Sequence, residues 1–230
     1  MTIDSVNHRR LRWQTLLKQA VINPSPALPA SEIQSDLEAK RRSPRLWLYS
    51  ALRAIAAARA GTKLDIAEPL PDLVWPQPAA NGIAGVSAVW QAYLQASLGD
   101  PVAQNWLAHV IKNLSPTAFN AGPNDNPEPW WASELMVLHA LQSFALLTGD
   151  ASLEAPLRRC VEFHLAEIQP DHATNEPWAI HAFGLHPDGN ITGETLLHAG
   201  FVQGGGALTS GATLIAADAL FALENAKLPG

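Results

Sequence analysis

Asp171, His172, Glu176 and His181 fall within one short stretch of this chain. Carboxylates and imidazoles exchange protons most readily near neutral pH, and loop or helix-start positions let them converge on one substrate. These four are the candidate catalytic residues. Beside them, and again one step earlier, tryptophans are interleaved with carboxylates and amides: Asp125, Asn126, Glu128, Trp130 and Trp131 in one segment, Asn175, Glu176 and Trp178 in the next. Indoles stack on the apolar faces of sugar rings while carboxylates and amides bond hydroxyls. Asp125, Glu128, Trp130, Trp131 and Trp178 are therefore the candidate substrate-binding residues for a sugar or small polar ligand. The plainer reading of Glu-Pro-Trp is structural. Proline suits the first helical position, glutamate the positive helix end, and tryptophan a core.

Other chemistries find less support. Six of the eight histidines (His139, His164, His172, His181, His186, His198) lie in the second half of the chain, yet no two are spaced i,i+3 or i,i+4 and there is no H-E-x-x-H pattern. Loop-borne ligation by His172, His181, His186 or His198 with Asp171, Asp188 or Glu194 would make a metal-dependent hydrolase, a third reading; no metal ligand is assigned. His139 and His164 sit among apolar helical residues and read as satisfied core histidines. Cys160 lies on a packing face, and no G-x-S-x-G nucleophile motif is present. The Gly200–Gly206 segment precedes a helix but lacks the Lys-Ser/Thr ending of a phosphate-binding loop, so no cofactor is expected. Close packing or a hinge explains these glycines more simply. Glycoside hydrolysis requires two carboxylates at a set separation. A lyase requires a histidine or tyrosine base; His172 or His181 could serve, whereas Tyr49 and Tyr93 lie within helices.

The bulk properties set limits. Of 230 residues, 47% are hydrophobic and 16% charged, which is globular and far from disorder. A net charge of -6 offers no basic field for nucleic acid. A single cysteine rules out an internal disulfide framework. The apolar tail from Thr195 to Leu223 is interrupted by Gln203, three glycines and Asp218, so no membrane span is expected. The expectation is a soluble, cytoplasmic protein.

Helical elements must position these residues. A first helix is expected from about Asp4 to Ile22, with Leu11, Leu16, Leu17, Ala20 and Val21 on its apolar side and a proline-rich linker beyond. Ser31 with Gln34 resembles a capping box for a short second helix. Ser43-Pro44 opens a third, ended by Gly61, with Arg45, Arg53 and Arg59 toward water. Uncharged and amphipathic helices then alternate: one through Val89 and Leu94, one from Asp100-Pro101 to Leu114, one from Trp130 to Thr148, and one from about Leu153 to Ile168. Between Trp130 and Thr148 the only charge is Glu134, and a helix apolar all round must be surrounded by protein. His186 to Asn190 is a turn, and Ile191 to Leu197 a short strand or helix. The turns at Gly99-Asp100 and Gly149-Asp150 are brief, whereas the opposite connections are long and rich in proline and polar residues. Long loops of that kind carry function.

Glu128-Pro129-Trp130 recurs as Glu176-Pro177-Trp178, 48 residues on, and Asp100 to Asp150 is a step of 50. This alternation and step resemble the α/α-toroid folds, the helical-hairpin rings of six-hairpin glycosidases, polysaccharide lyases and terpenoid cyclases. The resemblance is architectural and spans roughly residues 44 to 168. It implies an all-α domain of inner and outer helices with a site where the inner helices begin. Six hairpins at this step would need about 290 residues, so an incomplete or small ring is expected. The aspartate-rich motifs of terpene cyclases are missing. The expected organisation is an N-terminal helical arm and linker (residues 1–42) followed by a toroid-like domain (43–230). It would bind or cleave a carbohydrate at the long-loop rim. The alternative is a non-catalytic helical scaffold that binds a partner or a second copy of itself as a homo-oligomer.

Overall fold

The sixth helix has no polar face, and the fold closes around it. In the computed structural model, residues 3–21, 29–40, 44–64, 86–114, 128–168 and 174–227 are described. Among them every regular element is helical: α1 (Ile3–Ala20), α2 (Ala30–Ala39), α3 (Pro44–Arg59), α4 (Val86–Ser97), α5 (Pro101–Lys112), α6 (Glu128–Thr148), α7 (Glu154–Phe163), α8 (Ile180–Leu185), α9 (Asn190–Gln203) and α10 (Ser210–Glu224). A 3-10 turn (Ala151–Leu153) leads into α7 and a π turn (His164–Ile168) ends it. Ile191 to Leu197 is thus helical, inside α9. Leu135, Val137, Leu138, Ala140 and Leu141 of α6 are wholly buried. Helix α6 is covered by α4, α5, α7, α8 and α10, the environment an all-apolar helix requires.

Four helices form a closed circuit: α3 packs on α4, α4 on α6, α6 on α10 and α10 back on α3. Side-chain pairings show that α3 runs in the same sense as α10, and α4 in the same sense as α6. The Tyr49 ring lies against Gly211 near the starts of α3 and α10, while Arg59 meets Asp218 farther along both. The Trp90 indole donates to the Met136 carbonyl at 3.1 Å, and one turn later Tyr93 comes within reach of Ser143. Helix α5 packs on α4 and α6, α7 on α5 and α6, and α8 on α6 and α10.

Helix starts follow local chemistry in most places. Asp100 accepts from the Val102 N–H at 2.8 Å, with Pro101 at the first position of α5. Asp150 does the same for Ser152, and Thr209 caps α10 through the Ala212 N–H. The capping box expected at Ser31 and Gln34 does not form: α2 begins at Ala30 after Pro29, whose fixed φ starts the helix without a side-chain cap. Gly149 has φ +69° and the Lys227 side chain against it, so the short turn into α7 needs glycine twice over.

The first helix joins the core by a residue the apolar pattern missed. Trp13 is fully buried against Gly184 and Gly193, whereas Leu11 is 57% exposed. Missing side chains at the two glycines make the slot, so the pairing lies between helices and not in the periodicity of α1. Helix α1 packs on α8 and α10, and α2 on α3. In the turn from Gly204 to Gly206 a Cβ on Gly204 would strike the Ala207 carbonyl, so close packing explains that glycine, whereas Gly205 and Gly206 have open space and positive φ.

Candidate functional site

A single carboxylate sits at the centre of the four-helix circuit. Asp218, on α10, is buried and pairs with Arg59 of α3 at 2.7 Å. Its Oδ2 accepts from the Ser143 hydroxyl at 2.9 Å, from Nε2–H of His139 at 3.1 Å, both on α6, and from the Tyr93 hydroxyl of α4 at 3.1 Å. Arg59 also donates to the Tyr93 oxygen and lies 4.2 Å from the centre of the Phe221 ring. Burial opposes ionisation of Asp218, but Arg59 and the donated hydrogen bonds overcome it, holding the carboxyl well below the usual carboxylate range. Burial, and then the charge of Asp218, push the Tyr93 phenol far above its ordinary value. Burial alone would lower Arg59, yet the Asp218 charge raises it. This is a neutralised ion pair inside a shell of neutral donors.

The backbone donor at Ala179 sets the proton arrangement of this network. The Ala179 N–H donates to Nδ1 of His139 at 3.1 Å, so that nitrogen is bare and the imidazole is neutral, with its proton on Nε2. The Ser143 proton goes to Asp218, so its oxygen is free to accept from Nε2–H of His181 at 3.1 Å. That leaves Nδ1 of His181 bare, buried and without a partner. Burial and then the neighbouring His139 ring, 4.6 Å away, hold His181 well below the normal histidine value. Ser143, His181 and Asp218 do not form a nucleophile–base–acid relay, because the carboxylate holds the serine and His139 and does not orient His181. Ala179 is the one non-glycine residue with positive φ (55°) among those described, a strain retained where its N–H meets His139.

Glu176 stands at the other end of the circuit, where α3 and α10 begin. It accepts from the Tyr49 hydroxyl and, at 2.9 Å, from the Trp178 indole. Trp178 is fully buried, edge-on to Trp90 and His139. Glu176 itself is buried, while Tyr49 is half-buried and Asn175 exposed. Of the four catalytic candidates, the structure brings Glu176 and His181 into one buried polar region, on either side of Trp178 and His139. Asp171 and His172 lie outside the described residues, as does Asp125. Glu128 and Trp130 open α6, with their side chains outside the description; Trp131 follows them, half-buried. Trp178 has no open face for a sugar ring. The structural reading of Glu-Pro-Trp fits this tryptophan.

Two further buried groups were legible in part. Glu134 and His164 are both fully buried, with His164 Nε2 3.2 Å from Glu134 Oε2, an approach lacking the alignment of a hydrogen bond. Burial and then Glu134 push the nearby Cys160 thiol up to about 12, so it is unreactive near neutral pH. Arg59, expected on a wetted face, instead turns its side chain inward to Asp218 of α10, a partner 159 residues away that local spacing cannot reveal. Arg59, Tyr93, Ser143 and Asp218 were missed as a group. A lone carboxylate within an apolar helix was the available signal.

Among the described residues no three of His, Cys, Asp and Glu gather to hold a metal ion, and no helix is long and apolar enough to cross a membrane. Comparison with protein-family models, curated proteins and solved structures returns no match.

Proposed function

We propose that the chain is an α/α-toroid-like helical domain that binds a hydroxyl-rich ligand, a sugar or small polar molecule, where α3, α4, α6 and α10 begin. The observation that carries this reading is that α3 runs with α10 and α4 with α6, and that Glu176 and Trp178 tie the early turns of α3 and α4 together through Tyr49 and Trp90. The positive dipole ends of these helices then face one lip, and the Glu176 carboxylate with the Tyr49 hydroxyl lies beside it. Hydroxyl-rich ligands take both the donors of helix starts and the acceptors of a fixed carboxylate. Binding is favoured over cleavage, because Glu176 and His181 are buried and already bonded within the chain.

Thermal-shift titration with neutral sugars and uronic-acid oligomers tests the reading. A bound glycan at a hundredfold excess over Kd stabilises by about 2.7 kcal/mol, a Tm rise of roughly 5–10 °C for a chain this long. The ligand-induced rise should vanish in Glu176→Gln and shrink in Tyr49→Phe. No shift with any sugar removes the proposal. The second reading, a scaffold for a partner or a second copy, rests on that same closure of the polar residues. It expects indifference to small ligands and self-association that grows with concentration.

A further inference from the structure

A groove of about 290 Å³ lies at the opposite end of α6, enclosed by α1, α6, α7, α8 and Lys227. Its floor is apolar, made of Leu146, Leu157, Val161, Ala182 and Leu185. On its α1 wall stand Asn7 and Arg10, one helical turn apart and both half-buried. The Asn7 Oδ1 and the Arg10 Nε are closed from solvent and find no hydrogen-bond partner among the described residues. Of the two, Arg10 is the group an anion would answer, since the Asn7 oxygen is itself an acceptor. The other charges are partly engaged. Asp150 is turned to Ser152 and lies 3.6 Å from Lys112, Arg158 is 3.8 Å from Glu162, and Glu154 is the carboxylate left in the first turn of α7. Arg10 and Lys227 form no ion pair among the described residues, so the cations here exceed the carboxylates that could neutralise them.

We propose that this groove binds a small monocarboxylate with an apolar body, its carboxylate against Arg10 and its body along Leu146, Leu157 and Leu185. The size sets the class. A cavity of about 150 Å³ takes benzene, and this one is near twice that, which suits an eight-carbon chain or a phenylalkanoate. Longer acyl chains and flat polycyclic ligands exceed it. The site is at the other end of α6 from the Glu176 lip, so it stands or falls independently of the sugar reading.

Octanoate and octan-1-ol are the probes, titrated into the full chain by calorimetry and by amide chemical-shift mapping. Octanoate should bind saturably, with shifts centred on Asn7, Arg10, Leu146 and Leu185, and octan-1-ol should bind more weakly. Arg10→Gln should weaken octanoate about tenfold or more, the loss of a charge-assisted contact, and leave octan-1-ol unchanged. The unchanged alcohol shows that the groove is intact in that variant. Ala145→Phe, which fills the trough, should weaken both. No saturable octanoate binding, shifts mapping elsewhere, or equal affinity in Arg10→Gln would each overturn the proposal.

Discussion

Asp218→Asn is the most informative single change, because it keeps the shape of the side chain while removing its charge and turning one acceptor oxygen into an amide donor. Arg59 and Asp218 have side chains 9% and 3% exposed, so the guanidinium left behind is a buried cation with no counter-ion. Breaking one partner of a buried pair costs about 3–5 kcal/mol. Domains are stable by only about 5–15 kcal/mol, so the variant should unfold at much lower urea. Arg59→Met should cost less. The carboxylate would still accept from Tyr93, His139 and Ser143, and a thioether can take over the contact with the Phe221 ring. The double variant has neither charge to strand, so its cost should fall short of the sum of the singles by about 2–3 kcal/mol. Urea unfolding followed by tryptophan fluorescence measures all four corners, with the m-value checking that the unfolding reaction is unchanged. Additivity within about 0.5 kcal/mol would show that the pair is not a coupled buried unit.

Acid should weaken the fold in two stages. His181 is held below its unfolded value near 6.5, so its contribution is fully present above that pH and is lost as pH falls below it, by at most about 1.4 kcal/mol per unit. His181→Gln keeps a donor for Ser143 and should flatten the denaturation profile between about pH 6.5 and 4; a slope equal to that of the wild type would contradict this. Asp218 adds a second loss only as pH drops through its unfolded value near 3.8, and Asp218→Asn should remove it. Gly184→Ala would place a Cβ 2.3 Å from the Trp13 indole nitrogen. It should cost about 1–3 kcal/mol by overpacking and speed tryptic cleavage at Arg9, Arg10 and Arg12; unchanged cleavage would mean that α1 is not held by that slot.

Much of the architecture was readable because it is local. The starts at Asp100-Pro101 and Asp150, the all-apolar α6 and the amphipathic α7 each follow from residues within a few turns. Tertiary pairings were not readable in that way. Trp13 packs into a slot made by two glycines far along the chain, so Leu11 looked like the better core residue. Arg59 lies on the same helix as Arg53, which does reach a carboxylate near the surface at 3.5 Å, and the helical pattern treats the two alike. Glu176, His181 and Trp178 were singled out as candidate site residues, but neither their burial nor the bonds they make can be read from spacing.

One physical rule would have exposed more of the candidate site. An apolar helix tolerates a carboxylate only where a cation or several donors wait for it, since an unpaired buried charge is far too costly. Among the described residues two such helices each bury one carboxylate: Glu134 in α6 and Asp218 in α10. Each therefore announces a buried partner elsewhere. Histidines inside the core are the cheapest partners for one, and an arginine whose helix faces the circuit is the strongest for the other. Glu134 has His164 3.2 Å away without hydrogen-bond alignment, and Asp218 meets Arg59 with His139 beside it. A lone charge in an apolar helix thus predicts a long-range contact. The rule does not say which residue answers, because α3 and α10 come together only in the folded chain.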